Sequence, residues 1–141
     1  MADDTRTTAS AAAVNIAASA LRAQQARMRV IAENLANADS TAQTANGNPY
    51  QRQAPVFQPT AVPGGEGVKM SKVMPDRTPF RQVYQPGNPA ANAQGYVKMP
   101  NVDPLIEALD MREAQRAYDA NLNVISAAQQ MQLRTLDIIK K

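Results

Sequence analysis

The chain of 141 residues has no cysteine, no histidine and no tryptophan, and it has only two phenylalanines and four tyrosines. Without cysteine there are no disulfides and no thiol nucleophile, and without histidine there is neither the commonest general acid/base nor the usual zinc ligand. So few aromatics limit the size of any self-contained core, although 44% of the residues are apolar. Much of that fraction is alanine, which favours close approach of helices over bulky packing. Glycine and proline are missing from both ends: all ten prolines lie between Pro49 and Pro104, and all six glycines between Gly47 and Gly95. The helix breakers therefore divide the chain into two unbroken ends and a saturated centre. No run approaches the roughly 20 apolar residues of a membrane span. The opening MADDTRTTAS is acidic and polar where a cleavable signal peptide would be basic and then apolar.

Net charge is +3, but residues 1–46 carry four acids and four bases and residues 104–141 carry five of each. The excess falls wholly in the Pro-rich centre, a poor footprint for nucleic acid. Catalytic constellations are absent. Glu66 and Asp76 read as isolated, solvated turn acids. Gly64, Gly65 and Gly67 imitate a phosphate-cradling loop, but no strand-to-helix transition or following Lys-Ser/Thr completes it. Met70, Met74 and Met99 read as filler rather than soft metal ligands. The chain is expected to be no enzyme, with no catalytic residues, cofactor or metal, no nucleic-acid partner and no direct membrane insertion.

What is present is helical periodicity. From Pro104 to Lys141, Met111, Gln115, Tyr118, Leu122, Ile125, Gln129, Gln132, Leu136 and Ile139 form one line at spacings of three and four. Val124, Ala128, Met131, Thr135 and Ile138 form a second line beside it. Asp103 suits the N-cap and Pro104 the first helical position. Glu107 near the start and Lys140 and Lys141 at the end have the signs the macrodipole favours. Such a helix would be on the order of 55 Å long, far more than a small domain can cover. It needs a partner along its length.

A second helix is expected from about Ser10, with a seam of Val14, Ala17, Leu21, Gln24, Met28, Ile31 and Leu35, anchored by Leu21, Met28 and Leu35. Asparagines and hydroxyl residues in ENLANADST should end it, since their side chains compete with helical hydrogen bonds. The pattern predicts a mainly α fold: a disordered arm over 1–9, a helix over 10–41, a Pro/Gly-rich loop and short-strand segment over 42–103, and a helix over 104–141. The strands are expected at Pro55 to Phe57, Val68 to Val73, Phe80 to Tyr84 and Tyr96 to Met99. A Pro-rich connection cannot let two long helices cover each other fully, so intermolecular coiled-coil packing is expected.

Ser19-Ala-Leu21, Gln24, Arg27 and Ile31-Ala-Glu-Asn-Leu-Ala-Asn37-Ala-Asp-Ser-Thr41 resemble the N-terminal signature of flagellar rod and hook proteins. Gly95 to Asp103, Met111, Arg116-Ala-Tyr118, Ala120-Asn121 and Met131 to Leu136 are similar to their C-terminal signature. The short length and Pro79 to Ala90 resemble the proximal-rod members of that family. The resemblance implies a structural subunit of the proximal rod whose terminal helices pack into a helical tube and transmit torque. It also implies partners in other rod proteins and copies of itself, delivery by the flagellar type III export apparatus without a cleaved signal, and a place in the periplasmic part of the basal body. Asn34, Asn37 and Asn121 then become candidates for buried, hydrogen-bonded register positions. The expected interface residues are these three with Leu21, Met28, Ile31, Leu35, Tyr118, Leu122, Ile125, Met131, Leu136 and Ile139. Alternatives are another rod subunit of the same axial structure, a free coiled-coil adaptor, or a nucleic-acid-binding helical hairpin.

Overall fold

The computed structural model describes residues 2–140, with side chains from residue 9 onward. The arm expected over residues 1–9 lies almost wholly outside the residues whose side chains are described. Helix α1 is Ala2–Ala36, strands β1 and β2 are Gln53–Val62 and Gly65–Pro75, β3 and β4 are Arg81–Tyr84 and Tyr96–Met99, and helix α2 is Pro104–Ile139. Two long helices thus enclose in sequence a small β insertion made of two separate two-stranded sheets, β1-β2 and β3-β4.

Both helix boundaries follow from local chemistry. Asp103 Oδ1 accepts from the Leu105 amide at 2.9 Å and from the Ile106 amide at 3.4 Å, which satisfies two of the orphan donors at the start of α2. α1 stops at Ala36, ahead of residue 41, where turns follow. The Asn37 side chain donates back to the Glu33 carbonyl at 2.8 Å, and Ser40 Oγ donates to the Asn37 carbonyl at 2.9 Å. These bonds take up main-chain acceptors left over at the helix end.

β1 and β2 run well beyond the short segments expected at Pro55–Phe57 and Val68–Val73. Prolines at 55 and 59 and a polar, half-exposed surface hide their alternation. Residues 63–64 join them, a link short enough only for antiparallel neighbours, and Gly64 sits at φ 86°, a conformation that favours glycine. β3 pairs with β4 antiparallel, Arg81 opposite Met99 and Tyr84 opposite Tyr96.

The chain divides into two compact units. The first is Met1–Met28, Val56–Lys72 and Glu113–Lys141; the second is Arg29–Pro55 and Val73–Arg112. In the first, α1 lies against the hairpin through small residues. A Cβ on Gly64 would come 2.5 Å from the Ala12 Cβ, and one on Gly67 would come 2.2 Å from Ser19 Oγ. These glycines are there for close approach of strand to helix, not for a phosphate. Asn15 Nδ2 donates to the Pro63 carbonyl at 3.0 Å, and the Val68 amide donates to Ser19 Oγ at 3.1 Å. Ser10 Oγ donates to the Ala128 carbonyl at 3.1 Å, tying α1 to α2. In the second unit the core is Ala90, Val97 and Met99, with Ala42 and Ala91 against it, and Val102 is also buried.

Candidate assembly surface and polar hub

The second unit is organised around a buried carboxylate. Glu107 lies in the first turn of α2, where a negative charge suits the helix dipole, but its side chain is 0% exposed. A carboxylate so placed must be paired or cost several kcal/mol. Arg52, just before β1, supplies the pair, donating through Nε to Glu107 Oε1. Its Nη1 donates to Asp76 Oδ2 at 3.3 Å, and its Nη2 lies 3.8 Å from Asp110 Oδ2. Burial alone would lower the Arg52 pKa, but the hydrogen bond and charge of Glu107, then those of Asp76, outweigh it and hold the guanidinium above its ordinary value.

Asn34 completes the hub from α1 and is only 1% exposed. Its Oδ1 accepts from the Tyr50 hydroxyl at 2.8 Å and from the Gln53 amide at 2.9 Å. Its Nδ2 donates to the Gln53 carbonyl at 2.8 Å and to Glu107 Oε2 at 3.2 Å. All four hydrogen-bonding positions of the amide are filled. Burial, and then the charges of Glu33 and Glu107, push the Tyr50 phenol above its usual pKa. It stays protonated and keeps donating.

The far side of Arg52 is fixed through its main chain. Its amide donates to Asn101 Oδ1 at 2.7 Å, and Asn101 Nδ2 donates to the carbonyls of Asp76 at 2.9 Å and Thr78 at 3.1 Å. Asp76 is therefore not the isolated, solvated turn acid that sequence reading suggests. The Thr78 amide donates to its carboxylate at 2.9 Å and, with Arg52 beside it, holds its pKa below the ordinary value against an opposing effect of burial.

Of the three candidate register asparagines, Asn34 is a fully satisfied buried amide. Asn37 serves the end of α1, and Asn121 donates to the Ala117 carbonyl of its own helix at 2.7 Å. Sequence reading missed Arg52, Asp76 and Asn101 as members of one network. Glu107 stood out in the sequence only as an acid suited to the helix dipole, which does not foretell its burial.

The remaining candidates separate by helix. On α1, Ile31 is buried and Leu21, Met28 and Leu35 are half-buried within the chain itself. On α2, Tyr118 and Ile125 are half-buried, while Leu122, Met131, Leu136 and Ile139 are exposed, from 43% for Leu122 to 63% for Met131. Val124, Leu133 and Ile138 are exposed with them, as are Leu105, Ile106 and Leu109 near the start of the helix. Surfaces this apolar mark interaction sites in soluble proteins. Among the described residues no cluster of His, Cys, Asp and Glu could hold a metal ion, and no helix is long and apolar enough to cross a membrane. What α2 offers is exposed apolar surface.

Comparison with known proteins gives that surface a context. Residues 14–42 match the family model described as flagella basal body rod protein, and residues 93–138 match that of the flagellar basal body rod FlgEFG protein C-terminal region. The chain is 48% identical to the flagellar basal-body rod protein FlgC of Agrobacterium fabrum over 131 residues, 92% of this chain and 94% of that one. It is 47% identical to FlgC of Salmonella typhimurium over 88% of this chain and 93% of that one. Against FlgC of Bacillus subtilis the identity is 40%, over 90% and 96% of the two chains. Identity at this level, running through both helices and the insertion between them, means that the chain belongs to the FlgC family of flagellar basal-body rod proteins.

Proposed function

We propose that this chain, a structural subunit of the flagellar basal-body rod and not an enzyme, builds the proximal part of that rod by packing its two terminal helices against neighbouring subunits in a tube. The observation that carries the reading is the exposure of α2. Its apolar side chains remain in water along most of its length, and isolated helices of this kind owe most of their stability to packing. Neighbours that cover such a face share a twisting load over many apolar contacts, as a torque-transmitting shaft requires. Successive subunits meet through unlike surfaces, an arrangement that extends rather than closes. Its partners are other rod proteins and copies of itself. The chain reaches the periplasmic part of the basal body through the flagellar type III export apparatus.

The test is complementation. A Salmonella typhimurium strain lacking its own FlgC, supplied with this chain, should yield basal bodies that contain it. A chain that accumulates in the periplasm yet is absent from purified basal bodies would sink the reading.

A further inference from the structure

α2 carries two exposed apolar flanks rather than one. Val124, Met131 and Ile138 recur every seven residues on one side, while Leu122, Leu133 and Leu136 lie on the other. At 3.6 residues per turn, Leu122 and Val124 are about 200° apart. Between the flanks, Ile125, Ala128, Gln132 and Thr135 are the half-buried and buried positions.

The two flanks differ in shape. The first borders an open groove of about 620 Å³ whose opposite wall is Ala9, Ser10 and Ala13 of α1 and whose α2 wall includes Val124, Ala127 and Met131. The described residues of that wall are small, so this stretch of the groove suits large branched side chains. The second flank is made of exposed leucines.

Charge is arranged in the same sense. Arg116 and Arg134 lie 18 residues apart, and so do Asp119 and Asp137. Eighteen residues are about five turns, so each pair holds one angle around the helix. The arginines lie toward the groove, which Arg134 lines, and the aspartates lie toward the leucine flank. All four are exposed, and none forms an ion pair among the described residues.

We propose that the groove takes the leucine flank of α2 from a second copy of this chain, with Arg116 and Arg134 of one copy opposite Asp119 and Asp137 of the next. This rests on the assembly reading above and names the partner for one of its faces. Each copy offers both halves of the contact on opposite sides of one helix, so every copy added presents a fresh groove or a fresh flank. The flank from Leu122 to Leu136 is about 21 Å long, enough for two heptads of contact.

Charge exchange tests the pairing. Asp119→Lys/Asp137→Lys and Arg116→Glu/Arg134→Glu chains each place like charges across the contact, whereas their mixture restores opposite charges at every junction. Sedimentation at several concentrations should show each variant associating roughly tenfold more weakly than the wild type, as two reversed surface pairs imply, and the mixture recovering. Two variants that stay weak when mixed, or that associate as well as wild type alone, would overturn the pairing. Because the chain has no cysteine, cross-linking gives a second measurement that does not depend on charge. A chain with Ala127→Cys and Leu133→Cys should form a ladder of covalent multimers on mild oxidation, both in solution and in purified basal bodies. Disulfides between Ala127→Cys copies alone would show groove meeting groove and overturn the proposal. Incorporation of the doubly substituted chain into basal bodies without any ladder would refute the self-pairing while leaving the rod assignment intact.

Discussion

The hub around Glu107 and the packing of α1, β1-β2 and α2 in the first unit solve different problems. Around Glu107 every buried polar group has its partner inside the chain: Arg52, Asn34, Asn101 and Asp76 satisfy one another with little left over. In the first unit alanines, glycines and Ser19 bring helix and hairpin close together, while α2 keeps Leu122, Val124, Met131 and Leu136 in water. One region satisfies its polar groups within a single chain, whereas the other leaves large apolar side chains exposed. Polar satisfaction inside one chain and exposed apolar surface are thus found in different units of the same subunit.

The largest effect should come from breaking the region around Glu107. Arg52→Met leaves Glu107 buried without its cation, and losing one partner of a buried pair costs about 3–5 kcal/mol. Urea unfolding of the purified chain followed by far-UV circular dichroism should register it, with faster amide exchange over residues 101–110. A loss below about 1 kcal/mol would mean that the hub is not what holds this region together.

Changes on α2 should invert that pattern. Leu122→Asp should leave unfolding of the single chain nearly unchanged, because Leu122 is 43% exposed, yet prevent assembly, since an unpaired carboxylate buried against a neighbour costs several kcal/mol. Ile125→Asp, half-buried already, should damage both. Deleting residues 136–141 removes Leu136, Ile138 and Ile139, worth about 1.5–3 kcal/mol each when fully buried. The deleted chain should reach the periplasm but be missing from basal bodies, whereas restoring the apolar residues with Ser for both lysines should return it there. Assembly by the Leu122→Asp chain would make the two regions alike and remove the contrast.

Gly67→Ala probes the close packing of α1 on the hairpin. Its Cβ would fall 2.2 Å from Ser19 Oγ and 2.9 Å from Ser19 Cβ, and overpacking of this kind costs about 1–3 kcal/mol. Thermal unfolding should detect it, and Ser19→Gly in the same chain should recover part of the loss. Lys72→Ala, on an exposed stretch of β2, should change stability by less than about 0.5 kcal/mol and leave motility intact.

The smallest effect is expected with acid. Asp76 has its pKa lowered in the folded chain, so its contribution is present above the ordinary carboxylate value of about 3.9 and disappears as pH falls through the lowered one. Stability of the hub should therefore be flat from neutral pH down to about 4 and decline below that. Asp76→Asn should flatten this acid limb of the stability curve without shifting the neutral plateau greatly.

The helices were legible because their signals are local. Asp103 and Pro104 announce the start of α2, and the absence of any breaker after them carries it to Ile139. The turn at Gly64, between two expected strands, rests on a local requirement too, since positive φ favours glycine, whereas the one at Gly95 went unread. The hub was not, because its meaning is held by residues far apart in the chain: Arg52 meets Glu107 across 55 positions and Asn34 meets Glu107 across 73. Nothing near Glu107 distinguishes a dipole-favoured surface acid from a buried one. Gly67 was misleading in the same way, for its reason lies in Ser19 on another element.

Asn34 has one more effect, on what the chain avoids. By taking both the amide and the carbonyl of Gln53, its side chain imitates a neighbouring strand at the start of β1 and occupies main-chain groups that would otherwise recruit another polypeptide. An aspartate there would lack the donor and face Glu107 with a second negative charge, and a leucine would leave Gln53 open. Closing that hairpin margin with a side chain protects a subunit not yet packed among others from edge-to-edge aggregation.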